Sequence, residues 1–105
     1  LKEKFNLAHK PVCVLGSGRH GGRIARLLMA QGVTIDAFFD VSPKRIGSTR
    51  HGVPILAQES LAGWKSKNTE GFAIGAVGVR GKRALVRELL EKAQFSEPQD
   101  AICIA

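Results

Sequence analysis

Three glycines near the start of the chain stand at intervals that carry chemistry: Gly16-Ser17-Gly18-Arg19-His20-Gly21 fits G-x-G-x-x-G. Such a loop works by what its residues lack. Gly16 permits a tight turn out of a strand, Gly18 lets backbone approach a phosphate with no Cβ in the way, and Gly21 lets a helix pack close to a sheet. The free N–H groups at that helix start, at the positive end of its dipole, then face an anion. The plainer reading is a turn that only joins strand to helix. A simple connection needs one glycine, however, not three in this register.

Asp40 follows the last of these glycines by 40 − 21 = 19 residues. An acid at about that distance accepts hydrogen bonds from ribose hydroxyls in nucleotide-binding loops of this kind. Asp40-Val41-Ser42-Pro43 is also good turn chemistry, so the carboxylate could cap the turn; the two roles are compatible. Basic residues gather in the same places. Arg19 and His20 lie in the first strand-to-helix loop, Lys44 and Arg45 follow the second predicted strand, and Gly78-Val79-Arg80-Gly81 follows the fourth. In a parallel sheet these three loops emerge at one edge, where ligands bind. The candidate binding set is therefore Gly16, Ser17, Gly18, Arg19, His20, Gly21, Asp40, Lys44, Arg45, Gly78 and Arg80. No acid, base or nucleophile pair is placed by spacing, so no catalytic residue is assigned. His and Cys are too few and too scattered for a zinc site.

These loops need elements to hold them. Residues 12–15, a short apolar run ending in glycine, predict a buried strand. Ile24, Leu27 and Leu28 recur at helical spacing, so 21–31 reads as a helix that Gly32 stops. Residues 33–39 predict the second strand. Residues 52–56 predict a weaker third strand, which Pro54 demotes to an edge. A short helix over 58–65 turns Leu61 and Trp64 inward, 72–77 form the fourth strand, Leu85 to Ala93 give a second clear helical face, and 101–105 form the last strand. The fold expected is α/β: a Rossmann-like parallel sheet of about five strands in the order 3-2-1-4-5, with helices on both faces.

The chain has 105 residues, of which 44% are hydrophobic and 24% charged, the composition of one globular domain. Residues 1–10, charged and loosely amphipathic, read as a linker or cut segment, leaving 11–105 as the domain and the whole as a fragment of a larger protein. Sixteen Lys and Arg against nine Asp and Glu give a net charge of +7, which suits an anionic small molecule of nucleotide type. The basic residues look spread over loops and helix exteriors rather than gathered in one stripe. With only five Phe and one Trp to stack on bases, no nucleic-acid partner is expected. Cys13 and Cys103 read as buried, reduced thiols. With no secretory signal and no run long enough for a membrane span, the expected location is cytoplasmic.

Longer stretches carry a resemblance. Val14 to Gly21, then Phe38-Phe39-Asp40-Val41-Ser42-Pro43-Lys44-Arg45-Ile46-Gly47, then Gly52-Val53-Pro54-Ile55-Leu56 resemble the CoA-binding-like Rossmann superfamily. Rex-type redox repressors carry a similar F-D-x-x-P-x-x-I-G segment in an NAD(H)-binding domain. The N-terminal domains of bacterial sugar acyltransferases carry a similar G-x-x-x-H-G loop and bind a nucleotide-sugar. The nearest resemblance, through the stretch from Phe72 to Arg83 and the ending from Glu97 to Ala105, is to the Rossmann-like domain appended to some bacterial family 2 glycosyltransferases. That resemblance implies a nucleotide or nucleotide-sugar pocket near residues 16–21, Asp40 and 78–80. These residues include no winged helix, no left-handed β-helix and no glycosyltransferase catalytic motif, so a parent's chemistry is expected elsewhere.

The leading expectation is a non-catalytic, nucleotide-binding accessory domain of a glycosyltransferase-type protein, with NAD(H) or a nucleotide-sugar as ligand and a covalently linked catalytic domain as partner. One alternative is the NAD(P)-binding module of an oxidoreductase or redox sensor. There Asp40 favours NAD over NADP by repelling a 2′-phosphate, an inference that Lys44 and Arg45 weaken. The other is a degenerate Rossmann scaffold for protein interaction or homo-oligomerisation.

Overall fold

The computed structural model describes residues 2–76, 83–97 and 99–104. A central strand, β1 (Val12–Leu15), is buried at all four positions. It pairs in parallel with β2 (Ile35–Asp40) on one side and β5 (Phe72–Ala76) on the other. β4 (Val53–Ala57) adds to β2, and β6 (Ala101–Ile104) adds to β5, both in parallel. A two-residue β3 (Thr49–Arg50) runs antiparallel outside β4, so the six-stranded order is β3-β4-β2-β1-β5-β6. Without β3 this is the 3-2-1-4-5 order predicted from the residues, and the architecture is Rossmann-like.

Alternation along β1 feeds two cores. Val12 and Val14 join Phe38, Ile55, Phe72 and Ile74 on one face, beneath α2 (Arg19–Ala30). Cys13 and Leu15 join Phe39, Trp64, Leu90 and Phe95 on the other, beneath α3 (Leu61–Lys67) and α4 (Arg83–Lys92). Residues 2–10 carry α1 (Lys2–Phe5) and a 3-10 turn (Leu7–His9). Leu7 is fully buried in the first core, and the Phe5 ring lies 4.9 Å from that of Phe72.

Local signals explain the element ends. α2 closes with the Gly32 amide on the Met29 carbonyl and the Val33 amide on the Leu28 carbonyl, each at 3.0 Å, with Gly32 at φ +90°. This is a Schellman stop, which only a residue without a Cβ penalty makes readily. β3 and β4 are joined by His51 and Gly52 at φ +53° and +78°, the left-handed pair that a tight two-residue hairpin requires.

The third predicted strand does not take the edge. β3 covers it, because Pro54 lies one residue before the β2 ladder begins at Ile55 and its missing N–H costs no ladder bond. The Ile55 amide instead reaches outward to the Ser48 carbonyl at 2.9 Å. Neither Cys13, which is buried, nor Cys103, which is partly so, is in a disulfide. Burial and the nearby Asp36 charge push the Cys13 thiol far above its ordinary range, so it packs as a small hydrophobe. Among the described residues no helix is long and apolar enough to cross a membrane.

Candidate functional site

The sheet register brings the ends of β1, β2 and β5 level, with Leu15 opposite Phe39 and Gly75. The chain leaves β1 at Gly16, whose φ of +99° suits a residue without a side chain and whose amide donates to the Phe39 carbonyl at 2.8 Å. Gly18 is the residue before α2, and no side chain caps the helix there. The first helical bond runs from the Gly22 amide to the Gly18 carbonyl at 2.8 Å. Among the described residues the amides of Arg19, His20 and Gly21 meet no acceptor in the chain. α2 begins two residues earlier than its apolar spacing predicts, because Arg19 and His20 are exposed in a first turn that periodicity cannot register. A Cβ built on Gly21 would lie 1.8 Å from the Gly16 carbonyl oxygen, so the third glycine is what lets helix and loop touch.

Asp40 ends β2 and is only 7% exposed. Its Oδ2 accepts the Ser17 amide at 2.9 Å and the Ser17 hydroxyl, while Oδ1 accepts the Val41 and Ser42 amides at 2.7 and 3.0 Å. Burial works to raise the carboxyl's pKa. The donations from the Ser17 hydroxyl and the Ser17, Ser42 and Val41 amides outweigh it and hold the group at about 2. Asp40 is thus an anion that ties the glycine loop to the end of the neighbouring strand. The turn-capping role is present in full, and little acceptor capacity is left for a ribose.

A cleft of about 690 Å³ opens over this edge, within the range of small-molecule sites. Leu15, Phe39, Ala76, Val86 and Leu89 supply an apolar wall, with α4 contributing the last two. Arg19 and Arg45 bring positive charge to the cleft, which His20, Glu88 and Lys92 also line. The Arg45 guanidinium stands 3.5 Å from Asp40 Oδ2, and its Nη1 would be 3.2 Å from a Cβ on Gly18. It therefore lies across the gap left by that glycine, where an anion on the helix amides would meet it. Val41 is apolar yet 67% exposed at the rim.

Of the residues expected to bind, Gly16, Gly18, Arg19, His20, Gly21, Asp40 and Arg45 line this cleft. Ser17 is buried and holds Asp40 instead. Lys44 is exposed and does not line the cleft. Gly78 and Arg80 lie outside the described residues. Sequence reasoning missed the α4 wall, because a helical face shows which residues point inward and not which of them border a cleft. It also missed a cluster of four arginines beside a histidine. Arg19, Arg23, Arg26, Arg50 and His51 line one shallow cavity on the outer side of α2, so the basic residues are not simply dispersed. The doublet Gly21-Gly22 inside a helix was the available signal, since glycine is unfavourable there without a close approach to explain it.

No family model matches the chain, and no curated protein matches it. Solved structures do. A Rex-family repressor, RSP, is similar over 97% of this chain and 55% of its own, with 17% identity and a TM-score of 0.72. The same repressor in complex with beta-NAD+ and operator DNA is similar over 90% of this chain and 49% of its own, with 18% identity and a TM-score of 0.69. UDP-D-quinovosamine 4-dehydrogenase from Vibrio fischeri is similar over 91% of this chain and 78% of its own, with 22% identity and a TM-score of 0.75. The chain thus spans about half the length of the repressor structures. At these identities the fold is what is shared. The exclusion of nucleic acid drawn from composition is overturned, because this fold occurs in a repressor solved on operator DNA. Stacking aromatics and a basic stripe in one domain do not decide whether a protein built on it meets DNA.

Proposed function

We propose that this domain binds a nucleoside-diphosphate ligand, NAD(H) foremost, across the carboxyl edge of its sheet and does not itself catalyse a reaction. The observation that carries the reading is the uncapped start of α2. Three amides without acceptors lie at the positive end of a twelve-residue helix, beneath a glycine and beside the Arg45 guanidinium. A diphosphate fits that arrangement, with Arg19 and Arg45 offsetting its charge. The apolar wall of Leu15, Phe39, Ala76 and Val86 suits a flat ring. Asp40 serves by shaping the loop. Gly78 and Arg80 are carried as further contacts on their sequence position alone.

A nucleotide-sugar is the second ligand reading, supported by the likeness to a dehydrogenase of a UDP-sugar. The role as an accessory domain beside a glycosyltransferase catalytic domain rests on the sequence resemblance and is part of the same proposal.

Titration of the chain with NADH, NADPH, CoA and a UDP-sugar, followed by calorimetry, tests it. Saturable binding of NADH or the UDP-sugar, abolished by Gly18→Val, is expected. No saturation by any of the four up to about 1 mM overturns it.

A further inference from the structure

Behind the cleft, on the outer side of α2, lies a second cavity of about 260 Å³. Arg19, Arg23 and Arg26 stand at i, i+4 and i+7 on α2, a single stripe about 10 Å long at 1.5 Å per residue. Arg50 and His51 reach the same cavity from the hairpin between β3 and β4. No carboxylate lines it. Among the described residues none of these four arginines has a salt-bridge partner. Like charges held this close repel one another, so the arrangement costs stability unless something anionic joins it.

The local backbone is arranged around Arg50. A Cβ on Gly22 would lie 2.0 Å from Arg50 Nε and 2.4 Å from its guanidinium carbon. The helix therefore carries a glycine, at a cost of about 1 kcal/mol relative to alanine, at the one place where this side chain lies flat on it. Arg50 Nε is buried and has no hydrogen-bond partner. His51, at φ +53°, places its ring Nε2 3.1 Å from the Gly22 carbonyl oxygen, which makes Nε2–H the donor and pins the hairpin to the helix.

We propose that Arg19, Arg23, Arg26, Arg50 and His51 form a second anion site, which binds the phosphate group of a small phosphate monoester. A phosphate carries close to two charges and three acceptor oxygens, enough to engage several guanidinium forks at once. The cavity is a small open concavity. The stripe is about 10 Å long and the cavity it borders about 260 Å³, room for one phosphate group. The site is separate from the glycine loop, touching it only through Arg19, and does not depend on the ligand proposed there.

Titration of the isotope-labelled chain with inorganic phosphate at constant ionic strength, followed by NMR at the arginine Nε–H and backbone amide resonances, reads the site directly. Saturable shifts at Arg50 Nε–H and the Gly22 amide, half complete below about 10 mM, are expected. Arg50→Gln raises that concentration about tenfold, and so does Arg23→Gln with Arg26→Gln, a double change on an exposed helix face that leaves the core intact. Affinity for NADH, measured in parallel, stays within about twofold in both variants. Linear shifts without saturation overturn the proposal, as do equal shifts with acetate or saturation indifferent to both variants. A DNA duplex of about 20 base pairs that binds through these arginines while phosphate does not also overturns it.

Discussion

Asp40 holds Ser17 twice, accepting both its backbone amide and its hydroxyl through one carboxylate oxygen. These residues are 23 apart in sequence, and the pair fixes the glycine loop against the end of β2. The loop keeps its shape through a buried charge, which makes that shape depend on pH.

Asp40 has its pKa lowered from an ordinary 3.8 to about 2 on folding. A carboxyl so depressed adds stability that is present in full above about pH 5 and is lost as pH falls through 2. The difference is worth about 2 kcal/mol at neutral pH. Asp40→Asn should lower stability by that amount in urea titrations at pH 7. At pH 2 the wild type and the variant should differ far less.

The two kinds of glycine in the helices should respond oppositely to alanine. Gly21→Ala places a Cβ 1.8 Å from backbone oxygen that cannot retreat without opening the loop, and should cost about 3 kcal/mol or more. At Gly63, inside α3, a Cβ meets no atom within 4 Å. Gly63→Ala should therefore raise stability by about 0.5–1 kcal/mol through helix propensity. Thermal melts of the two variants check both signs.

Arg45 is half exposed and only 3.5 Å from Asp40, so its ion pair adds little to folding. Arg45→Ala should change stability by less than about 0.5 kcal/mol yet weaken NADH binding about tenfold. Lys44→Ala, outside the cleft, should leave NADH binding nearly unchanged. Paired calorimetric titrations separate the two neighbours.

Trp64, the single tryptophan, donates through Nε1 to Asp36 at 2.7 Å and packs edge-on against Phe39, with ring centroids 6.1 Å apart. Asp36 is exposed and can turn to water once the indole is gone. Trp64→Phe should thus cost only about 1–2 kcal/mol. Gly71→Ala, whose Cβ would meet the indole ring at 2.7 Å, should shift the tryptophan emission as well as destabilise. Denaturant unfolding followed by circular dichroism measures the first, and fluorescence the second.

The residues alone determined five of the six strands, the relative order of those five and the glycine loop, though not the two-residue β3 at the edge. Each of these follows from local periodicity or from a backbone need that only glycine meets, as at Gly16 and Gly32. Tertiary structure decided how the polar groups are shared out. Asp40 was readable as a ribose acceptor or a turn cap, and only the approach of Ser17 from another strand end shows its oxygens already engaged. Gly22 and Arg50 are 28 positions apart, and nothing local links them. The hairpin from β3 to β4 lays that guanidinium on the helix, and long-range contacts of this kind leave no periodic trace in a chain.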